Sequence, residues 1–140
     1  MMPALDISTS ALVAQRTRLN AISSNLANMS TTRDENGEIA PYRARYVILQ
    51  TDEQNKTSEG AMGVKVSSVE TETIEPRYKH EPNSPLAIKE GRWKGYVAYP
   101  NVNMTTEMVD ALEATRAYEA NVGVIEVTKS MAAQTLRILG

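Results

Sequence analysis

The sequence predicts an α+β fold in which long N- and C-terminal helices pair as an antiparallel, coiled-coil-like hairpin around a small β-rich insert. Three observations predict it. Residues 1–30 carry only three charged side chains, Asp6, Arg16 and Arg18, while Leu5, Leu12, Leu19 and Leu26 recur every seven residues, with Ile22 and Met29 at the offset of three. A second apolar series from Met104 to the C-terminus follows spacings of three, four or seven: Met104, Met108, Ala111, Thr115, Tyr118, Val122, Ile125, Ala132, Leu136 and Leu139. Between these runs the chain is polar and strand-like in period. The expected division is a helix in 1–30, a loop and β-rich insert in 31–103, and a second helix in 104–140.

The first helix is expected over residues 5–29, with Pro3 just ahead of it and Asp6 or Ser8 as its cap. Asn28, Ser30, Thr31 and Thr32 compete with helical hydrogen bonding and should end it. Residues 30–41 are polar, contain Gly37 and Pro41, and read as a loop. A strand is expected over 42–50, with Tyr42, Ala44, Tyr46 and Ile48 on one face and Arg43 and Arg45 on the other. A polar turn (51–60) leads to a second strand over about 61–69, whose continuation to Glu75 alternates like a wet edge strand. Pro76, Pro82 and Pro85 should bar regular structure for most of 76–88. Gly95–Tyr99 is a last short strand, and Asn103 is placed to cap the long second helix. That helix has Glu107, Asp110 and Glu113 early and Arg137 late, which suits its dipole. Glu113 with Arg116 and Glu126 with Lys129 have the spacing of surface ion pairs. At about 1.5 Å per residue the two helices span roughly 40 and 50 Å. The small insert cannot cover the longer one, so other subunits are expected along its remaining face.

Composition narrows the function. There is no Cys, no Phe, one Trp and seven Met, and the formal charge is −2. The absence of Cys removes disulfides, thiolate nucleophiles and Cys-based metal sites together. Met-rich, aromatic-poor surfaces suit adaptable helix contacts. The charge gives no overall drive towards nucleic acid or anionic membrane. No run of eighteen apolar residues is present to span a bilayer, and the N-terminus lacks the pattern of a secretory signal.

Chemistry-bearing motifs are few. His80 is the only histidine, with Glu81 as its one adjacent acid, and reads as an exposed loop residue. Asp34, Glu35 and Glu38 surround Asn36-Gly37 without the spacing of a calcium loop and read as a solvated turn. Lys89, Arg92 and Lys94 flank Trp93 and precede Tyr96, a pattern that can bind single strands or polysaccharide by stacking. Glu90 interrupts it, and a hairpin tip or subunit contact is the simpler reading. No phosphate loop or nucleophile elbow exists. The expectation is a non-enzyme with no cofactor, no metal, no small-molecule substrate and no nucleic-acid partner. The residues expected at the assembly interface are Leu12, Leu19, Ile22, Asn25, Leu26, Asn28, Met104, Met108, Tyr118, Asn121, Val122, Ile125 and Leu136. Asn25, Asn28 and Asn121 lie near the apolar seams, where a buried Asn fixes register at a cost in stability, unless they face solvent.

The stretch Ser23-Ser24-Asn25-Leu26-Ala27-Asn28-Met29-Ser30-Thr31 resembles the N-terminal signature of bacterial flagellar rod and hook-type axial proteins. Pro41-Tyr42-Arg43 resembles the entry to the insert of the short, proximal-rod members. Gly95-Tyr96-Val97, Pro100-Asn101-Val102-Asn103, Glu107-Met108-Val109-Asp110, Arg116-Ala117-Tyr118-Glu119-Ala120-Asn121-Val122 and Lys129-Ser130-Met131 are similar to them throughout. The chain departs from the family pattern at Tyr78–Ala87 and by a few extra residues around Lys89 to Lys94. The resemblance implies a structural rod subunit that assembles helically through its terminal helices around the export channel and transmits torque. It implies as partners other rod proteins, copies of itself, the base of the rod at the membrane ring and the flagellar type III export apparatus. It places the protein in the periplasmic rod of the basal body, exported without a cleaved signal. A soluble adaptor or export chaperone built on an amphipathic helix pair is the alternative.

Overall fold

The computed structural model describes residues 2–140. Its elements run α1 (Met2–Ala27), β1 (Arg45–Lys56), β2 (Met62–Thr71), β3 (Arg77–His80), β4 (Tyr96–Tyr99) and α2 (Met104–Leu139). The α+β class with terminal helices and a β insert is the one the sequence predicts.

Pro3 lies in the first turn of α1, where its missing N–H costs nothing. The helix thus begins ahead of Asp6 and Ser8, and neither caps it; Ser8 is buried instead. The helix ends as its polar residues dictate. The Asn28 amide donates to the Ser24 carbonyl at 2.9 Å, and the Thr31 hydroxyl bonds the Asn28 side chain at 3.0 Å. The long helix α2 opens on Asn103, whose side chain accepts from the Thr106 N–H at 3.2 Å.

The helices pair antiparallel. Arg18 in α1 faces Asp110 and Glu113 in α2 at 3.9 and 3.5 Å, while Asn25 lies against Glu107 nearer the start of α2. Glu113 therefore serves Arg18 across the hairpin. Among the described residues, neither Glu113–Arg116 nor Glu126–Lys129 comes within ion-pair distance. The α2 surface turned inward runs through Glu107, Ala111, Ala114, Ala117, Asn121, Ile125, Thr128 and Ala132, and Ala114 is 0% exposed. This stripe is rotated from the one read off the large apolar residues. Four of its eight residues are alanine, small side chains of the kind that allow helices to pack closely.

The strands β1 and β2 form an antiparallel hairpin packed on α1. The polar stretch expected to be a turn is mostly strand, because β1 runs on to Lys56 and only 57–61 turns. Gly60 supplies the left-handed residue there with φ +92°. The faces also differ from the expected alternation. Ala44 is buried, but Tyr46 and Ile48 are exposed, and Val47 and Leu49 are the half-buried pair. Ala44 lies ahead of the strand, which begins at Arg45, so parity counted from Tyr42 does not carry into it.

Gly63 sits where β2 meets α1. A methyl group there would stand 2.9 Å from Ser10 Oγ, and that hydroxyl accepts from the Val64 N–H at 3.1 Å and donates to the Ile7 carbonyl at 2.6 Å. One serine thus ties helix to strand.

The second hairpin, β3 with β4, forms inside the proline-rich stretch expected to be irregular. Pro76 and Pro82 flank the four paired residues of β3 without entering them, so no ladder donor is lost. Val97, Ala98 and Ala87 form its buried centre. Trp93 stacks on Tyr78 with ring centroids 4.1 Å apart and planes 3° from parallel, and Tyr96 meets it edge-on at 5.4 Å.

Candidate assembly interface

Pairing with α1 uses one stripe of α2 and leaves the rest of its apolar surface without a partner. Val109, Leu112, Val124, Val127, Met131 and Ile138 repeat at helical spacing and are exposed, Val127 at 59% and Ile138 at 84%. Met104, Met108, Tyr118, Leu136 and Leu139 make a second exposed series. Apolar side chains exposed in series along one helix mark an interaction surface. At ten residues longer than α1 (36 against 26), α2 carries its last turns bare: every residue from Ala133 to Gly140 is exposed.

The residues expected at the interface divide between two environments. Ile22 and Asn25 are buried within the chain, and Leu12, Leu19, Leu26, Asn28, Asn121, Val122 and Ile125 are half-buried. Met104, Met108, Tyr118 and Leu136 face outward. Asn121 turns its amide back to the Ala117 carbonyl at 2.8 Å. The outer stripe from Val109 to Ile138 was not singled out from sequence, although its spacing of three and four was available as a signal.

Asn25 has a particular part in fixing the helix pair to the insert. Its Oδ1 accepts from the Arg45 N–H and from the Tyr42 hydroxyl, both at 2.8 Å, and its amide donates to the Arg45 carbonyl at 2.8 Å. The side chain thereby occupies the open edge of β1 as a strand neighbour would. Ser24 adds a bond to the Tyr42 hydroxyl at 3.0 Å. Glu107 packs against this junction. Burial pushes its carboxyl up from the ordinary value, the Asn25 amide opposes that, and the Asp110 and Glu72 carboxylates reinforce it.

The sites weighed for chemistry take structural places. His80 lies exposed on β3, edge-on to Tyr96 at 4.9 Å. Tyr78 covers one face of Trp93, and the Arg92 guanidinium lies 5.3 Å from its ring centre, so the indole is engaged within its own chain. The acidic turn closes on itself, with Asp34 accepting from the N–H groups of Asn36 and Glu38 at 2.9 Å each.

A helix hairpin that leaves its longer arm apolar and bare, joined to a small β insert, defines a subunit of the axial-assembly class. Comparison with known proteins agrees. Residues 5–33 match the family model described as flagella basal body rod protein, and residues 94–138 match the flagellar basal body rod FlgEFG protein C-terminal model. The chain is 38% identical to the flagellar basal-body rod protein FlgC of Borreliella burgdorferi, over 99% of this chain and 97% of that protein. It is 41% identical to the FlgC proteins of Bacillus subtilis (96% and 95% covered) and Salmonella typhimurium (95% and 93%). The chain belongs to the flagellar basal-body rod protein FlgC family and is a structural subunit of the flagellar rod.

Proposed function

We propose that the protein is a subunit of the proximal rod, polymerising helically through α1 and α2 so that the helix pairs line the export channel and the β insert packs outside. The observation that carries this reading is the bare apolar stripe of α2 from Val109 to Ile138. Burying such a surface between neighbours stabilises assembly by about 25 cal/mol per Å², a term repeated at every contact of the shaft. Its partners in this reading are copies of itself, other rod proteins and the base of the rod at the membrane ring. It reaches the periplasm through the flagellar type III export apparatus.

An adaptor built on the same helix pair is not favoured, because the rod relatives match the chain through the insert as well as through both helices. The test is deletion of the gene from a motile host, with basal bodies imaged and swimming scored. Basal bodies without rods, and later axial proteins not exported, are the expected result. Complementation with the wild-type chain restores rods. Leu112→Asp, which charges the bare stripe and leaves the α1 contact untouched, does not. Complete rods in the deletion strain refute the reading.

A further inference from the structure

Outside the helix pair the chain carries two preformed surface features of opposite charge. The first is the turn Arg33–Glu38, which holds three acids against one base and is exposed throughout. Its shape is fixed. Asp34 accepts from two backbone N–H groups of its own turn, Arg33 donates to the Gly37 carbonyl at 2.8 Å, and Arg33 and Ile39 form a bridge across it. Those bonds occupy Arg33 and Asp34. Glu35 and Glu38 stand free of ion pairs among the described residues.

The second is an open cleft of about 500 Å³ beside β4, lined by Pro82, Ser84, Pro85, Ile88, Lys89 and Lys94 among others. Its wall holds Lys89 and Lys94, both exposed and neither in an ion pair among the described residues. This wall is also preformed. The Ile88 N–H donates to the Tyr96 carbonyl and the Gly95 N–H to the Ile88 carbonyl, each at 2.9 Å, and the Glu81 N–H donates to the Gly95 carbonyl at 3.0 Å. Gly91 and Gly95 provide the left-handed turns, at φ +93° and +84°. Such stiffness on both sides removes most of the ordering cost of contact.

We propose that the acidic turn of one copy, through Glu35 and Glu38, docks in the lysine-lined cleft of a neighbouring copy. The two features are different patches on one chain, so the contact is heterologous, the kind that propagates into an open helical array and does not close as a dimer. Charge complementarity selects a copy of the chain as the occupant. A ring-bearing polymer is disfavoured because the Trp93 face that would stack it is already covered by Tyr78. The contact sits outside the helix pair and would fix the angular setting of each subunit after the α2 stripe has joined them. It rests on the assembly reading above, and the two fail separately.

The chain has no cysteine, which makes pairwise cross-linking clean. Glu38→Cys and Lys94→Cys chains are co-expressed in a flagellated host, and isolated basal bodies are run on non-reducing gels alongside electron microscopy. Rods with a disulfide-linked dimer, absent when either variant is expressed alone or when Glu59→Cys replaces Glu38→Cys, are expected. Rods without the dimer overturn the docking and leave the rod reading standing; no rods with wild-type protein either overturns both. Lys89→Glu with Lys94→Glu should cut rod yield about tenfold, as loss of two rim pairs implies. Adding Glu35→Lys and Glu38→Lys should restore it. If reversal fails to rescue and the purified chain is instead retained on an anionic glycan matrix through the same lysines, the cleft serves that ligand and the proposal is wrong.

Discussion

Removing the Asn25 side chain should loosen the insert from the helix pair. At 2% exposure, Asn25 gives three hydrogen bonds, two of them to the backbone N–H and carbonyl of Arg45. Each such bond has a net worth of about 1 kcal/mol, and a buried group left without its partner costs more. Tyr42 keeps Ser24 as a partner, and water reaches part of Arg45, so Asn25→Ala should cost about 2–3 kcal/mol. For a chain of this size that is a fall in Tm of about 10 °C by circular dichroism. Asn25→Asp separates hydrogen bonding from volume. The carboxylate still accepts from Arg45 and Tyr42 but cannot donate to the Arg45 carbonyl, and it places charge near Glu107. Its folded-state pKa should stand above the unfolded value. The variant is then most stable below the unfolded pKa and weakens as pH rises through the folded one. At pH 7 it should melt below Asn25→Ala, and near pH 3 above it. A Tm change under about 2 °C for Asn25→Ala, or no crossover with pH, refutes the strand-edge account.

Three further outcomes follow from the same geometry. Glu107 has a raised folded pKa, so its ionisation opposes folding as pH climbs from the ordinary carboxylate value through the folded one; Glu107→Gln should raise Tm at pH 7 and flatten the melting profile across that window. Gly63→Ala should destabilise by about 1–3 kcal/mol in urea titrations, because the new methyl must displace Ser10 and its bonds to Ile7 and Val64, whereas Ser10→Gly with Gly63→Ala should recover part of the loss. Amide exchange in the dilute monomer should be fast over the wholly exposed 133–140 and slow around Ala114; strong protection at the C-terminal turns would show that α2 needs no neighbour.

The helices were legible because their signals are local. Periodicity marked both, Asn103 marked the start of α2, and the cluster Asn28–Thr32 marked the end of α1. What the sequence hid depends on distance in space. The inner stripe of α2 is built on Ala111, Ala114, Ala117 and Ala132 with polar Glu107, Asn121 and Thr128 between them, and carries no methionine or leucine, so a count of large apolar residues points to the wrong face. Asn25 read as a seam residue, and nothing local announces that its partner is the backbone of Arg45, twenty positions away. The inward face of β1 differs from the expected one because the strand begins only at Arg45, and nothing in composition marks that start. Prolines misled in the opposite direction: they bracket β3 so closely that four paired residues fit between them.

The β3–β4 hairpin has its own small centre in Val97, Ala98 and Ala87, and as an element it packs against neither helix nor the first hairpin. It joins the rest of the chain at two crossings, near Pro76 and Pro100, stitched by the Asn101 amide to the Glu75 carbonyl at 3.2 Å. Residues can be gained, lost or exchanged within it without shifting the helical repeat on which a continuous shaft depends. Such an appendage is free to vary without disturbing the helix pair.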